Sequence, residues 1–236
     1  MKLFVFDTET NGLPKSWGTS NRGWHQQWPN PVQISWLIYD TNQNKITNKE
    51  DHIILLKEPL DEDAVNIHGV TEKRMIEEGT SLRIVLRQFR KDIESSDIII
   101  AHNINFDYHI ITRSCIEENI PDIMTSPTLK DKQLYCTMKE GTTICNIMQQ
   151  HKYTGRTRVK YPKLQELNSH LFNDQLDHSC LHNALYDILV TLRCACKMLY
   201  DVDLFITCDE YIDIMKDFIF PIIQSRPNVL CMEDSI

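Results

Sequence analysis

Residues 3–6, Leu-Phe-Val-Phe, form an apolar run with no polar residue on either face, and the run ends directly on Asp7 and Glu9. Side chains of an extended chain alternate, so Leu3 and Val5 point one way and Phe4 and Phe6 the other. Both faces must then be covered, which puts this strand inside a sheet that has layers above and below it. Residues 32–39 and 53–56 continue with β-rich apolar runs, and the polar stretch 41–50 between them reads as the loop of a hairpin meander. Helical spacing then takes over at 81–89, 106–118, 162–171 and 181–199, interrupted by short strand-like runs at 97–101 and 135–138. A meander followed by strand and helix in alternation predicts an α/β fold, a mixed sheet flanked by helices.

At 236 residues the chain can bury a core without covalent staples. The pattern divides it into a main domain over 1–200 and a C-terminal appendage over 201–236 that packs on the same domain. The N-terminal apolar run is far too short for a signal peptide, and no later stretch approaches a membrane span, so the expectation is a soluble, intracellular protein, cytoplasmic or nuclear. Eight cysteines, at 115, 136, 145, 180, 194, 196, 208 and 231, include no Cys-x-x-Cys pair. Reduced, mostly buried thiols are expected rather than disulfides or a structural zinc.

Three acidic groups stand out. Asp7 and Glu9 lie two apart at the end of the first strand, so their carboxylates emerge on one face as a pair of hard oxygen donors suited to Mg²⁺ or Mn²⁺ and poorly suited to zinc. His102-Asn103-Ile104-Asn105-Phe106-Asp107 follows the strand at 97–101 and puts Asp107 in the first turn of a helix. His182-Asn183-Ala184-Leu185-Tyr186-Asp187 opens the next long helix. Five residues at ~100° each would set His182 and Asp187 roughly 140° apart, so one of them must stand at the irregular helix start.

Taken in order, Asp-x-Glu, His-Asn-x-x-Phe-Asp and His-x-Ala-x-x-Asp resemble the three exonuclease motifs of the DnaQ-like family, in the branch with four acids and a histidine. The resemblance extends to Val32-Gln33-Ile34-Ser35-Trp36, to Ile67-His68-Gly69-Val70-Thr71 and to Tyr161-Pro162-Lys163-Leu164-Gln165-Glu166-Leu167, and so covers most of residues 1–200. It implies an RNase H-like fold with a central five-stranded mixed sheet. It also implies two Mg²⁺ ions, replaceable by Mn²⁺, held by Asp7, Glu9, Asp107 and Asp187, with His182 taking a proton from the attacking water. By the same resemblance Thr10 and Leu13 contact the terminal nucleotide, Ala64, Ile67 and His68 line the opposite wall, and Asn103 and Phe106 shape the floor. The usual Thr-Thr-Gly after the first motif is Thr10-Asn11-Gly12 here, a change that turn geometry tolerates.

The implied activity is removal of nucleotides from the 3′ end of DNA, single-stranded or frayed, as in proofreading or repair, with a polymerase or replication protein as a partner. Trimming of RNA ends is the alternative within the same chemistry. A non-catalytic nucleic-acid-binding scaffold and a small-molecule metal phosphatase are the readings outside it. A net charge of −8 disfavours a phosphate binder that works by basic surplus, but two divalent cations add +4 and bring it to −4. Residues 152–163 carry five basic residues, no acid, and Tyr153 and Tyr161, a candidate track for a single strand or a solvated basic loop. Residues 17–28 hold three tryptophans among polar residues, either a locally packed surface loop or a loop for base stacking or a partner.

Overall fold

A computed structural model describes residues 1–18, 23–151, 155–176 and 180–225, with side chains to residue 218. Five strands form the central sheet: β1 (Lys2–Thr10), β2 (Pro31–Asp40), β3 (Lys45–Ile53), β4 (Ile98–Ala101) and β5 (Gln133–Cys136). Their order is β3-β2-β1-β4-β5. β1, β2 and β3 pair antiparallel, while β4 runs parallel to β1 and β5 parallel to β4. This is the expected mixed five-stranded sheet. A small hairpin of β6 (Met148–Gln150) and β7 (Thr157–Val159) stands apart from it.

Nine helices are described: α1 (Glu62–His68), α2 (Glu72–Glu78), α3 (Leu82–Glu94), α4 (Ile104–Glu117), α5 (Thr137–Cys145), α6 (Leu164–Phe172), α7 (Ala184–Tyr200), α8 (Leu204–Thr207) and α9 (Asp209–Ser225). The double burial of β1 accounts for the layers. Phe4 and Phe6 enter one core with Val85, Leu86 and Phe89 of α3 and Ile111 of α4, the three phenyl rings meeting at centroid distances of 5.1 to 5.9 Å. Leu3 and Val5 enter the other with Ile188, Leu189 and Leu192 of α7. Leu204, Cys208, Tyr211 and Met215 bury into that second core, and Lys45 pairs with Glu210 at 2.8 Å, so the chain from Leu204 to Met215 packs on the main domain. Residues 226–236 lie outside the described residues. Cys115, Cys136, Cys194, Cys196 and Cys208 are buried thiols.

Two readings of the sequence are corrected. The second hairpin strand spans Lys45–Ile53 rather than 53–56, and most of the polar stretch at 41–50 belongs to it. β3 is an edge strand whose residues alternate between exposed and half-buried up to Ile53, so backbone pairing with β2 holds it in place without an apolar face to announce it. The strand-like run at 135–138 divides at Cys136, where β5 ends and α5 begins. The short helices α1 and α2 rest on their caps. Asp61 accepts the N–H groups of Asp63 and Ala64, Thr71 accepts that of Arg74, and Gly69 ends α1 at φ 70°, a left-handed position that suits glycine.

The tryptophan-rich segment is largely packed, though residues 19–22 lie outside the described residues. Trp28 is buried and stacks on His109 of α4 at 4.8 Å, with Trp24 edge-on to both rings. Buried Arg113 of α4 donates to the carbonyl of His25 at 3.2 Å and to Asn30 Oδ1 at 2.5 Å, which fixes this segment to the domain.

Candidate active site

The carboxylates meet where β1 runs out of the sheet. Asp7 and Glu9 alternate onto the face of Leu3 and Val5, toward α7. Thr8 faces the other layer, and its backbone N–H (3.0 Å) and hydroxyl (2.8 Å) both donate to Asp107 Oδ1 in the first turn of α4. Residues 99 apart in sequence are thereby locked together, and Asp107 is only 2% exposed. Asp187 comes from the first turn of α7. Its Oδ2 accepts the backbone N–H of His182 at 3.2 Å, while its Oδ1 is buried with no hydrogen-bond partner.

His182 stands outside the helix, as its spacing from Asp187 requires. Its backbone is left-handed, φ 64°, and the chain then enters α7 through Asn183, whose side chain accepts the N–H groups of Leu185 and Tyr186. Gln33, buried on β2, accepts the N–H of Ala184 at 3.3 Å and donates to Asp51 at 2.8 Å, which anchors the first turn of α7 to the sheet. Donor atoms of Glu9, His182 and Asp187 lie within 4.8 Å of one another.

The electrostatics of this cluster are adverse without a counterion. Burial pushes the Asp7 carboxyl up to about 7. Burial raises Glu9, with the charges of Asp7, Asp187 and Asp107 adding to it, and burial followed by the charge of Asp7 raises Asp107 and Asp187 well above the carboxylate range. Carboxylates that resist joint ionisation, an orphaned carboxylate oxygen and a mainly hard-oxygen donor set fit divalent cations such as Mg²⁺ or Mn²⁺.

A stability test follows from the sign of these shifts. As pH rises past about 4 the unfolded chain gives up these protons while the folded site keeps them, Asp7 until about 7, so the unfolded state binds fewer protons and folding stability from these groups is lost across that window. In EDTA the melting temperature is expected to fall between pH 5 and 7.5 (values chosen for the assay), and saturating Mg²⁺ to raise it by about 5 °C or more at the higher pH and by less at the lower. Equal Mg²⁺ effects at both pH values in differential scanning fluorimetry would count against a cluster of this kind.

Two cavities flank the cluster and share Thr8, Glu9 and His182. One, of about 480 Å³, is lined by Thr10, Leu13, Ala64, Ile67, His68 and Phe106, six of the seven contact residues expected from the sequence, and by Asp61 and Asp63. Asn103 lines the other instead, about 500 Å³, with Asp7, Asp187, Tyr161, Lys163 and Gln165. A third cavity, lined by Leu55, Lys57, Glu58, Glu117 and Glu118, contains none of these residues. His68 accepts the N–H of Val70 on Nδ1 at 3.0 Å and leaves Nε2 buried without a partner; burial, and then the neighbouring His182, hold its pKa down. Of the basic stretch at 152–163, residues 152–154 lie outside the described residues; Lys160 pairs with Glu166 at 2.5 Å, and Tyr161 and Lys163 face the second cavity.

Several residues make positioning contacts that the sequence does not show. Asn11 donates to the carbonyl of Pro59 at 3.1 Å and accepts the N–H of Asp61 at 2.5 Å, tying the end of β1 to the start of α1 and so to the wall that carries Ala64, Ile67 and His68. Burial holds His102 down at about 4, and its ring bridges Thr137 (3.0 Å) and the carbonyl of Pro162 (3.2 Å), joining β4 to the segment before α6. Thr8 alone could have been anticipated, as the residue between two acids that alternation turns toward the opposite layer.

The sequence profile of the family described as Exonuclease, RNase_T, matches residues 4–195, a span that contains all three acidic groups. The chain belongs to this exonuclease family. Its fold is RNase H-like. No curated protein matches it. Among solved structures, Exonuclease I from Methylocaldum szegediense superposes with a TM-score of 0.60 at 14% identity, covering 85% of this chain and 41% of that one. E. coli Exonuclease I in complex with a dA16 oligonucleotide gives 0.58 at 16% identity, covering 91% and 42%. A further Exonuclease I structure gives 0.59 at 15%, covering 92% and 43%. The chain thus spans about two-fifths of the length of the structures it matches, and at this identity the likeness is one of fold. No helix among the described residues of this exonuclease-family chain is long and apolar enough to cross a membrane.

Proposed function

We propose that this chain is a metal-dependent 3′-to-5′ exonuclease that releases nucleoside monophosphates from DNA ends, single-stranded or frayed. The observation that carries the reading is the convergence of Asp7, Glu9, Asp107 and Asp187 beside His182, between two cavities that share the cluster. Asp7, Glu9, Asp107 and Asp187 would hold two Mg²⁺ ions, with Mn²⁺ able to replace them. Bound there, such ions supply charge stabilisation on the entering and departing oxygens of a phosphodiester and acidify water.

The chain's own residues do the rest. Thr8 holds Asp107 in place, and the backbone N–H of His182 holds Asp187. His182, exposed on its turn, takes the proton of the attacking water. Leu13, 76% exposed, wedges against the terminal base inside the 480 Å³ cavity, with Thr10 beside it and Ala64, Ile67 and His68 as the facing wall. Asn103, Tyr161 and Lys163 guide the chain of phosphates on the far side of the cluster. The main domain over 1–200 carries this machinery, with the segment from 201 to 236 as its appendage. An intracellular setting and a polymerase or replication partner are part of the same reading.

A 5′-labelled oligodeoxynucleotide incubated with Mg²⁺ is expected to give a ladder that shortens from the 3′ end, and EDTA to stop it. Products that shorten from the labelled end would refute the polarity. An equal RNA strand under the same conditions is expected to be degraded more slowly, and a faster loss of the RNA would replace DNA with RNA as substrate.

A further inference from the structure

The cavity proposed for the terminal nucleoside is bounded by Phe106, and Trp17 lies against that residue, ring centroids 6.2 Å apart. The tryptophans near it are used very differently. Trp28 is 4% exposed, whereas Trp17 is 61% exposed. Trp17 meets Trp28 edge-on, with centroids 5.6 Å apart and planes at 78°, and tilts against Phe106 at 49°. Neither contact is a face-to-face stack, and at this exposure most of the indole surface remains open to solvent. A large aromatic ring in that position contributes little to the core and is suited to binding a flat apolar partner.

Its support is rigid. Trp28 stacks on His109 at 4.8 Å, and Trp24 closes the edges of both rings. The backbone just before Trp17 is tied down by the N–H of Lys15, which donates to the carbonyl of Gln27 at 2.8 Å. An exposed indole on a fixed base, one ring beyond the floor of a nucleoside cavity, is a stacking platform, since every nucleobase offers a π face to such a ring.

We propose that Trp17 stacks on the penultimate base of the strand whose terminal nucleoside occupies the cavity. It holds that strand in register with the carboxylate cluster and touches no reacting atom, so it is a substrate-positioning residue. The inference rests on the exonuclease reading above. An exposed indole also suits a protein partner, and the test below separates the two.

Steady-state cleavage of a DNA strand with Mg²⁺ is measured for the unaltered chain, Trp17→Ala and Trp17→Phe, on an intact strand and on one with an abasic residue at the penultimate position. Trp17→Ala is expected to raise KM about tenfold on the intact strand with kcat within about twofold, the loss of one base–aromatic stack. Trp17→Phe retains a ring and is expected to stay within about threefold of the unaltered chain. On the abasic strand Trp17→Ala is expected to cause no further loss, because the base it stacks on is already gone. An unchanged KM for Trp17→Ala on the intact strand, or a penalty just as large on the abasic strand, overturns the proposal while the unaltered chain still cleaves. Failure of the unaltered chain to cleave at all overturns the exonuclease reading and this inference with it.

Discussion

Asp7→Asn is expected to slow oligonucleotide hydrolysis by about a thousandfold or more while the fold persists. Asp7 stands within β1, the strand that both cores grip, so the backbone that carries it is well fixed. The amide is close in shape to the carboxyl and keeps the packing, but it removes one negative charge from a cluster that binds cations through charge. The same substitution relieves the metal-free protein. Burial raises the Asp7 carboxyl to about 7, so ionising it in the folded state costs stability that the amide does not lose. Asp7→Asn should therefore melt higher than the unaltered chain in EDTA above neutral pH, and gain less from added Mg²⁺. A variant that keeps more than a tenth of the original rate would remove Asp7 from the proposed machinery. A variant that is inactive and also less stable in EDTA would point to a structural role.

The second large effect is expected at His182, where loss of the imidazole should lower kcat by about a hundredfold to ten-thousandfold. The backbone there is left-handed, φ 64°, which an alanine tolerates poorly and an asparagine well. His182→Asn thus keeps the turn, and with it the N–H that Asp187 accepts, while removing the base. Comparable losses in His182→Ala and His182→Asn would tie the effect to the ring, whereas near-normal activity in His182→Asn would assign it to the turn.

The pH dependence supplies an independent readout. Partial burial, and then the charge of Lys163, lower the His182 pKa below the usual histidine value. The neutral imidazole is the form that accepts a proton, so His182 remains competent at neutral pH, and protonation removes its contribution only below its ordinary titration range. The part of the acid limb of the pH–rate profile due to His182 should vanish in His182→Asn. A limb of unchanged shape would assign it wholly to the carboxylates.

Much of this architecture was legible in the linear chain for a simple reason. A strand buried on both faces cannot hide: Leu3, Phe4, Val5 and Phe6 called for two covering layers, and α3 with α4 on one side and α7 on the other supply them. The long amphipathic helices and the acids at the ends of β1, α4 and α7 were equally visible, because side-chain period and helix entry are local properties. The second hairpin strand was expected too far along the chain because β3, an exposed edge strand, is held by backbone hydrogen bonds, which leave no apolar pattern behind. The caps of α1 and α2 are local too, but each helix is only seven residues long, too short for a periodic signal.

The site divides in the same way. By itself the sequence determined which residues have the chemistry: two acids at a strand end, one acid in each of two helix first turns, and a histidine that five-residue spacing keeps off Asp187's helix face. Only the tertiary structure decided that Thr8 would clamp Asp107, that Asn11 would tie down the facing wall, that Asn103 would line the second cavity rather than the first, and that Trp17 would stay open while Trp28 is buried. Residue type and local spacing are written along one dimension, whereas contacts between residues as far as 99 positions apart are chosen by how two packed layers close over the end of a sheet.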